Sequence, residues 1–312
     1  MRDIQRRLAR LGFDVGGDGP GMYGPATEAA LHAFQDSRGL RTDGICGIQT
    51  WSALVEAGYR LGDRFLYLRA PMLRGEDVAE FQRRLGALGF DAGRVDGIFG
   101  RRTVDALLDF QRNAGLTADG ICGPDVLAAL ARLGDRLSSD MTVAVVREEE
   151  ALRDTPRDLL GRRVAVGETG GLAGLADALG RTLLDQGALV AVLHHPDESR
   201  QAEEANRFDA EAFVAVALIP DTACRAAYYG AEGFESVGGK RLAHLIVEEV
   251  GSTLGADTAI RSMRLPILRE TRMPAVLCEL GPPRIAVERA ADLVAALRRA
   301  MARWSSEPLD RS

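Results

Sequence analysis

No apolar run in this sequence approaches the roughly 20 residues that a membrane-spanning helix needs; the longest, Ala212 to Pro220, is far shorter. A bilayer span is therefore not expected. Basic residues are not in excess either: 39 Lys and Arg against 45 Asp and Glu give a formal charge of −6. That balance lacks the positive footprint of nucleic-acid binding or of attachment to anionic membranes. Aromatic residues make up 5%, and the four cysteines, Cys46, Cys122, Cys224 and Cys278, show neither C-x-x-C spacing nor a disulfide framework. Buried free thiols are the expectation. Met1 to Arg7 carries no apolar core followed by a small-residue cleavage site, so the chain reads as cytoplasmic. There is no G-x-S-x-G elbow, and Gly167, Gly170 and Gly171 follow a predicted strand without the spacing of a phosphate-binding loop.

What is present is ordinary globular composition, 46% hydrophobic and 27% charged over 312 residues, enough for two or three cores. An internal repeat dominates the first half. Gln5-Arg6-Arg7-Leu8 and Leu11-Gly12-Phe13-Asp14 return as Gln82-Arg83-Arg84-Leu85 and Leu88-Gly89-Phe90-Asp91. Tyr23-Gly24, Thr27, Ala30, Leu31, Phe34 and Gln35 return as Phe99-Gly100, Thr103, Ala106, Leu107, Phe110 and Gln111, and D-G-I-C-G at 43–47 returns at 119–123. Apolar spacings of three and four predict short amphipathic helices, three per copy. In the D-G-x-x-G turns the Asp bonds locally and the first Gly takes positive φ. Pro124 suits a first helical position. Ile45 with Cys46, and Ile121 with Cys122, are expected to plug the gap between helices. Tyr59 to Gly62 and Leu66 to Arg69 form a connector leading to a helix entry at Arg74 to Asp77.

With those residues in view, L-G-F-x-x-x-x-x-D-G-x-F-G and F-Q-x-x-x-G-L-x-x-D-G-I-C-G resemble the peptidoglycan-binding domain of cell-wall hydrolases. The copies occupy 1–58 and 68–134. The resemblance implies an all-α three-helix fold with a shallow groove for glycan or stem peptide. Packing alone also explains each repeated residue, so a dimerisation or protein-docking module stays open.

Residues 135–161 read as a polar linker, with Glu148 to Glu150 and Arg153 on a solvated helix. From 162 to 305 apolar runs alternate with helical periods, which predicts an α/β fold with a mostly parallel sheet; 306–312 form a tail. Strands are expected at 163–166, 188–193, 212–219, 225–229 and 275–280. Helices are expected at 172–186, 197–208, 238–254 and 286–303.

Leu265 to Gly281 resembles the late strand of zinc-dependent N-acetylmuramoyl-L-alanine amidases, and 164–171 and 205–216 resemble their first strand and loop and their third strand. That family holds zinc with His, Glu and His beside a separate general acid/base Glu. Carried onto this sequence, Thr169 stands at the first ligand position and Ala217 at the third; the second ligand does not align, Glu168 being the nearest carboxylate. Glu279 takes the acid/base position, either to hydrogen-bond a ligand or as a pocket-edge carboxylate. His194 and His195 should point to opposite faces, while His32 and His244 lie on helices. Cys278 should face the core. No metal site and no cofactor are expected on this reading.

Two repeats before an amidase-like domain without the family's histidines resemble actinobacterial regulators within this family. That likeness implies a cytoplasmic pseudoenzyme controlling precursor synthesis through the UDP-N-acetylglucosamine enolpyruvyl transferase, under a Ser/Thr kinase; those relatives carry a longer tail after the position of Trp304. The alternatives are a zinc amidase with an atypical site and a passive wall-binding module.

Overall fold

Six short helices build the amino-terminal half, three in each copy: α1 Arg2–Arg10, α2 Pro25–Ser37, α3 Ile48–Glu56, then α4 Glu76–Ala87, α5 Arg101–Asn113, α6 Pro124–Gly134. The structure is a computed structural model and describes residues 1–134, 143–154, 157–255 and 257–307. It divides into two compact units near Arg147.

Each helix pair is tied by a buried glutamine. Gln35 donates from Nε2 to Asp43 Oδ1 (2.7 Å), Ile45 O (3.1 Å) and Thr50 Oγ1 (3.1 Å), and its Oε1 accepts from Gly44 N (2.9 Å). Gln111 repeats this with Asp119 Oδ1, Ile121 O and Gly120 N. Gln5 and Gln82 bracket the earlier loop of each copy in the same way. The Asp-Gly turn is thus held by a side chain from the preceding helix, which satisfies backbone groups that no helix or strand can reach. Gly44 and Gly120 take φ of +70° and +71°, as the turn requires.

The copies share edge-to-face aromatic pairs, Phe13 with Phe34 (5.6 Å between centroids) and Phe90 with Phe110 (5.5 Å). The expected apolar plugs need correcting. Cys122 is buried, but Ile45 and Ile121 are exposed and Cys46 is only half-buried. Their carbonyls are pinned to Gln35 and Gln111, so the isoleucine side chains are left outside.

The second unit is a mixed, mostly parallel sheet between helices. Its strands are β1 Arg163–Glu168, β2 Leu189–His194, β3 Ala212–Leu218, β4 Ala223–Ala231, β5 Phe234–Glu235, β6 Asp257–Met263 and β7 Ala275–Leu280. The order is β2-β1-β3-β7-β4-β5, with β6 paired to β4. Strands β1, β2, β3 and β7 run parallel; β4 is antiparallel to β7. The helices are α7 Val143–Asp154, α8 Ala173–Leu184, α9 Glu198–Arg207, α10 Val237–Leu254, α11 Pro266–Arg269, α12 Pro283–Glu288 and α13 Ala290–Ser306. Val164, Val166, Val214, Val216, Val276 and Cys278 face a core shared with α8, α10 and α13. The alternate residues face α9 and α11: Gln201 of α9 sits so close to Gly167 that a Cβ there would lie 2.2 Å from its Oε1.

Several expectations change. β4 is longer than 225–229, β5 and β6 were not anticipated, and the carboxyl-terminal helix is split into α12 and α13. Within the predicted linker, α7 is more than a solvated face: Glu148 accepts from Ser236 Oγ (2.5 Å) and Val237 N (3.3 Å), bracing the start of α10. Residues 135–142 and 155–156 of that linker, and 308–312 of the tail, lie outside the described residues. No described helix is long and apolar enough to cross a membrane.

Candidate functional site

The carboxyl ends of parallel strands are where an open α/β sheet presents its chemistry, above all where the strand order reverses. Here the order reverses between β1 and β3. The pairing places Gly167 beside Ala215 and Ala217 beside Glu279. Thr169, one residue past β1, extends the ladder by donating its N–H to Val216 O at 3.2 Å. Thr169, Ala217 and Glu279 therefore form one row across β1, β3 and β7, on the face turned toward α9 and α11. Arg225 of β4 sits directly across from Glu279 and bonds Asp221 at 2.7 Å. The row holds one hydroxyl, one methyl and one carboxylate, bordered by a guanidinium.

Glu168 lies on the opposite face. Its Oε2 accepts from Gly170 N (2.8 Å) and Leu172 N (3.4 Å), closing the loop that leads into α8. His194, its neighbour on β2, places Nδ1 3.6 Å from Glu168 and Nε2 2.9 Å from Asp177 on α8. The imidazole stands between two carboxylates, one on each ring nitrogen, so the three side chains cannot aim lone pairs at a common point. His195 turns away, and its Nδ1 accepts from Asp197 N at 2.9 Å. His194 and His195 thus diverge, as their adjacency at a strand end predicts. His244 is exposed on α10, and His32 packs beside Gly44. Among the described residues no group of three His, Cys, Asp or Glu side chains is placed to hold a metal ion.

The family described as "Putative peptidoglycan binding domain" matches residues 1–54 and 74–130. The chain is 36% identical over 293 residues to the N-acetylmuramoyl-L-alanine amidase CwlM of Mycobacterium tuberculosis, covering 83% of this chain and 72% of that protein. The chain belongs to the N-acetylmuramoyl-L-alanine amidase family. It is also 33% identical over 156 residues to the amidase CwlL of Bacillus licheniformis, covering 43% of each. A crystal structure of the amidase from Clostridium difficile 630 aligns with a TM-score of 0.38 at 16% identity, over 47% of this chain and 98% of that one.

Tested against the zinc that the resemblance to zinc-dependent amidases implies, the donor set at the positions assigned by that resemblance, Thr169, Ala217 and Glu279, does not fit. Structural and hydrolytic zinc take their protein ligands from thiolate, imidazole and carboxylate, at least three per site. The row offers one such group, Glu279, and Glu168 is on the other face and occupied by loop amides. Sequence reasoning missed the Asp177–His194–Glu168 chain, which spans β1, β2 and α8; the only clue was a histidine at a strand end.

The thiols are a poor source of nucleophiles. Burial pushes Cys122 up to about 12, and Cys278 is held well above 9 by its hydrogen bond with Cys224 and by complete burial; the same hydrogen bond lowers Cys224, which is itself fully buried and so out of reach of a reagent. A thiol at 12 is ionised to about one part in ten thousand at pH 8. Native protein treated with iodoacetamide is therefore expected to be labelled at Cys46 alone, and at all four cysteines after denaturation. Peptide mass spectrometry reads this directly; native labelling of Cys278 would refute the packing described.

Proposed function

We propose that this amidase-family protein regulates cell-wall synthesis by binding and does not hydrolyse its family's substrate. The observation that carries the reading is the row Thr169, Ala217 and Glu279, in which one carboxylate is the sole strong donor for a divalent ion. Glu279 remains as a hydrogen-bonding group for a bound wall fragment. The repeats supply the link to peptidoglycan through their family match. The finer part of the proposal places the protein in the cytoplasm, with the UDP-N-acetylglucosamine enolpyruvyl transferase as partner and a Ser/Thr kinase as controller. Its support is the likeness of the whole arrangement to the actinobacterial regulators and the 36% identity to CwlM.

The test pairs two measurements. Affinity capture from a cytoplasmic extract should recover the transferase, and sedimentation with isolated sacculi should be weaker than for a dedicated wall-binding protein. Strong sedimentation with no captured transferase would replace regulation by passive wall binding.

A further inference from the structure

The sheet of the second unit has one margin that carries no charge. Strand β2 ends the strand order and pairs with β1 alone. Leu189 N donates to Arg162 O at 2.8 Å, so Leu189, Ala191 and Leu193 turn their backbone groups toward β1, and Val190 and Val192 turn theirs outward. Those outward groups have no hydrogen-bond partner among the described residues. At the far side of the sheet, β6 exposes Asp257 and Arg261, charges of the kind that keep a free edge from pairing. Leu189-Val190-Ala191-Val192-Leu193 holds no such residue.

The surroundings of β2 are apolar at one end and charged along one flank. Among the described residues of this unit the large exposed apolar side chains are Leu160, Leu184, Leu189 and, elsewhere, Val287. The first three meet at the turn before β2: Gly187 N donates to Leu184 O at 2.8 Å, and a Cβ on Gly187 would lie 2.5 Å from Leu160 Cδ1. On the flank, a Cβ on Gly180 of α8 would lie 2.5 Å from Val192 Cγ2 and 3.7 Å from Val190 Cγ1, which sets this turn of the helix level with Ala191. Arg181 comes next and is exposed. Asp177 and Asp185 stand four residues to either side of it, about 6 Å of helical rise each way.

We propose that β2 is the pairing edge of a homodimer, in which two copies of this chain join their sheets antiparallel about a twofold axis through Ala191. The edge has the same sequence read in either direction, so a second copy matches it position by position. Val190 then lies opposite Val192 of the second copy, each outward amide meets an outward carbonyl, and Leu189 lies opposite Leu193. A closed twofold pairing covers both free edges and both leucine clusters at once. The charges agree with it: each Arg181 comes to lie beside the axis, between Asp177 and Asp185 of the second copy, so that two guanidiniums sit among four carboxylates. A foreign strand could satisfy the same amides but has no reason to match those charges. The surface is smaller than the roughly 20–30 residues a side of a standard interface, so the association is weak and depends on concentration. This inference goes beyond the regulatory reading and stands whether or not the second unit is catalytic.

The test is sedimentation velocity of the full chain over rising concentration, with Arg181→Glu as the variant and Arg284→Glu as the control. Arg181 and Arg284 are both exposed helix residues, and the two substitutions change the net charge equally; an unchanged Tm checks that each variant is folded. The mass should rise from one chain toward two in the wild type. Arg181→Glu, which makes every charge at the axis negative, should weaken the dimer at least about tenfold, and Arg284→Glu should leave it unchanged. The Val190 and Val192 amides should exchange slowly at high concentration in the wild type and fast in Arg181→Glu. A single-chain mass at every concentration, which leaves the edge to a foreign strand, would overturn the proposal. So would a dimer that both variants weaken alike, or one in which the Val190 and Val192 amides exchange as fast as in the monomer.

Discussion

Protein purified from zinc-supplemented medium and passed over a desalting column is expected to retain substoichiometric zinc and to leave the muramoyl–alanine amide of muropeptides uncut. Bound zinc brings the pKa of a water from 15.7 to about 7, so without it hydroxide at neutral pH is scarcer by about eight orders of magnitude. Glu279 cannot replace that loss by moving protons alone, since general acid–base catalysis contributes typically ~10²–10⁴. Metal analysis by mass spectrometry and chromatography of muropeptide digests read the two outcomes. The row also predicts how a site could be restored. Thr169→His with Ala217→His puts two imidazoles on neighbouring strands about 4.8 Å apart, facing the same way. The double variant is expected to bind zinc at least about tenfold more tightly than either single variant, a gain of roughly 1.4 kcal/mol or more, yet to remain inactive because a third ligand is still missing. Stoichiometric zinc in the wild-type protein, with activity that follows metal content, would end the regulatory reading.

The repeat was legible because its period carries whole motifs, and the parallel strands because buried strands are runs of Val and Ala flanked by turns. The likeness to the amidase family drew attention to Thr169, Ala217 and Glu279, and the register then set them side by side. Features that depend on distant partners were illegible. Glu148 reads as one of three acidic residues on a helix, and its partner Ser236 is 88 positions away. Strand β6, Asp257–Met263, lies half exposed beside β4 and carries none of the apolar run that marks a core strand. Residues 65–74 looked like a connector because Leu66, Leu68 and Leu73 have no helical period, and the partners of Leu66 and Leu73, Cys122 and Phe99, belong to loops. The isoleucines of D-G-I-C-G were misplaced for a related reason: hydrophobicity favours burial of both Ile and Cys, but the glutamine bracket fixes the loop backbone first and leaves the isoleucine outside.

That bracket supports the largest stability effect expected from one substitution in the helical half. Gln82 is buried, donates to Asp96 Oδ1 (2.9 Å), Ile98 O (3.1 Å) and Thr103 Oγ1 (3.1 Å), and accepts from Gly97 N (2.8 Å). Leucine nearly matches its volume, so Gln82→Leu leaves no large cavity. It does strand the buried Gly97 amide, which costs about 1–3 kcal/mol, and it removes one of the two donors to the Ile98 carbonyl, which keeps Gly100 N at 2.9 Å. A loss of about 3 kcal/mol is expected, which in a domain of this size lowers Tm by roughly 10 °C or more. Gln5→Leu removes the matching bracket in the first repeat, where Met22 is exposed and the freed groups can meet water, so about half that loss is expected. The extended segment 65–74, which bonds Cys122 through Leu66 and Phe99 through Leu73, gives an independent readout. Phe99 and Gly97, which hold its far end, sit in the loop that Gln82 fixes, so Gln82→Leu should release it and open Cys122 to alkylation. Equal losses in the two variants, with Cys122 still protected, would show that helix packing and not the glutamine positions these loops.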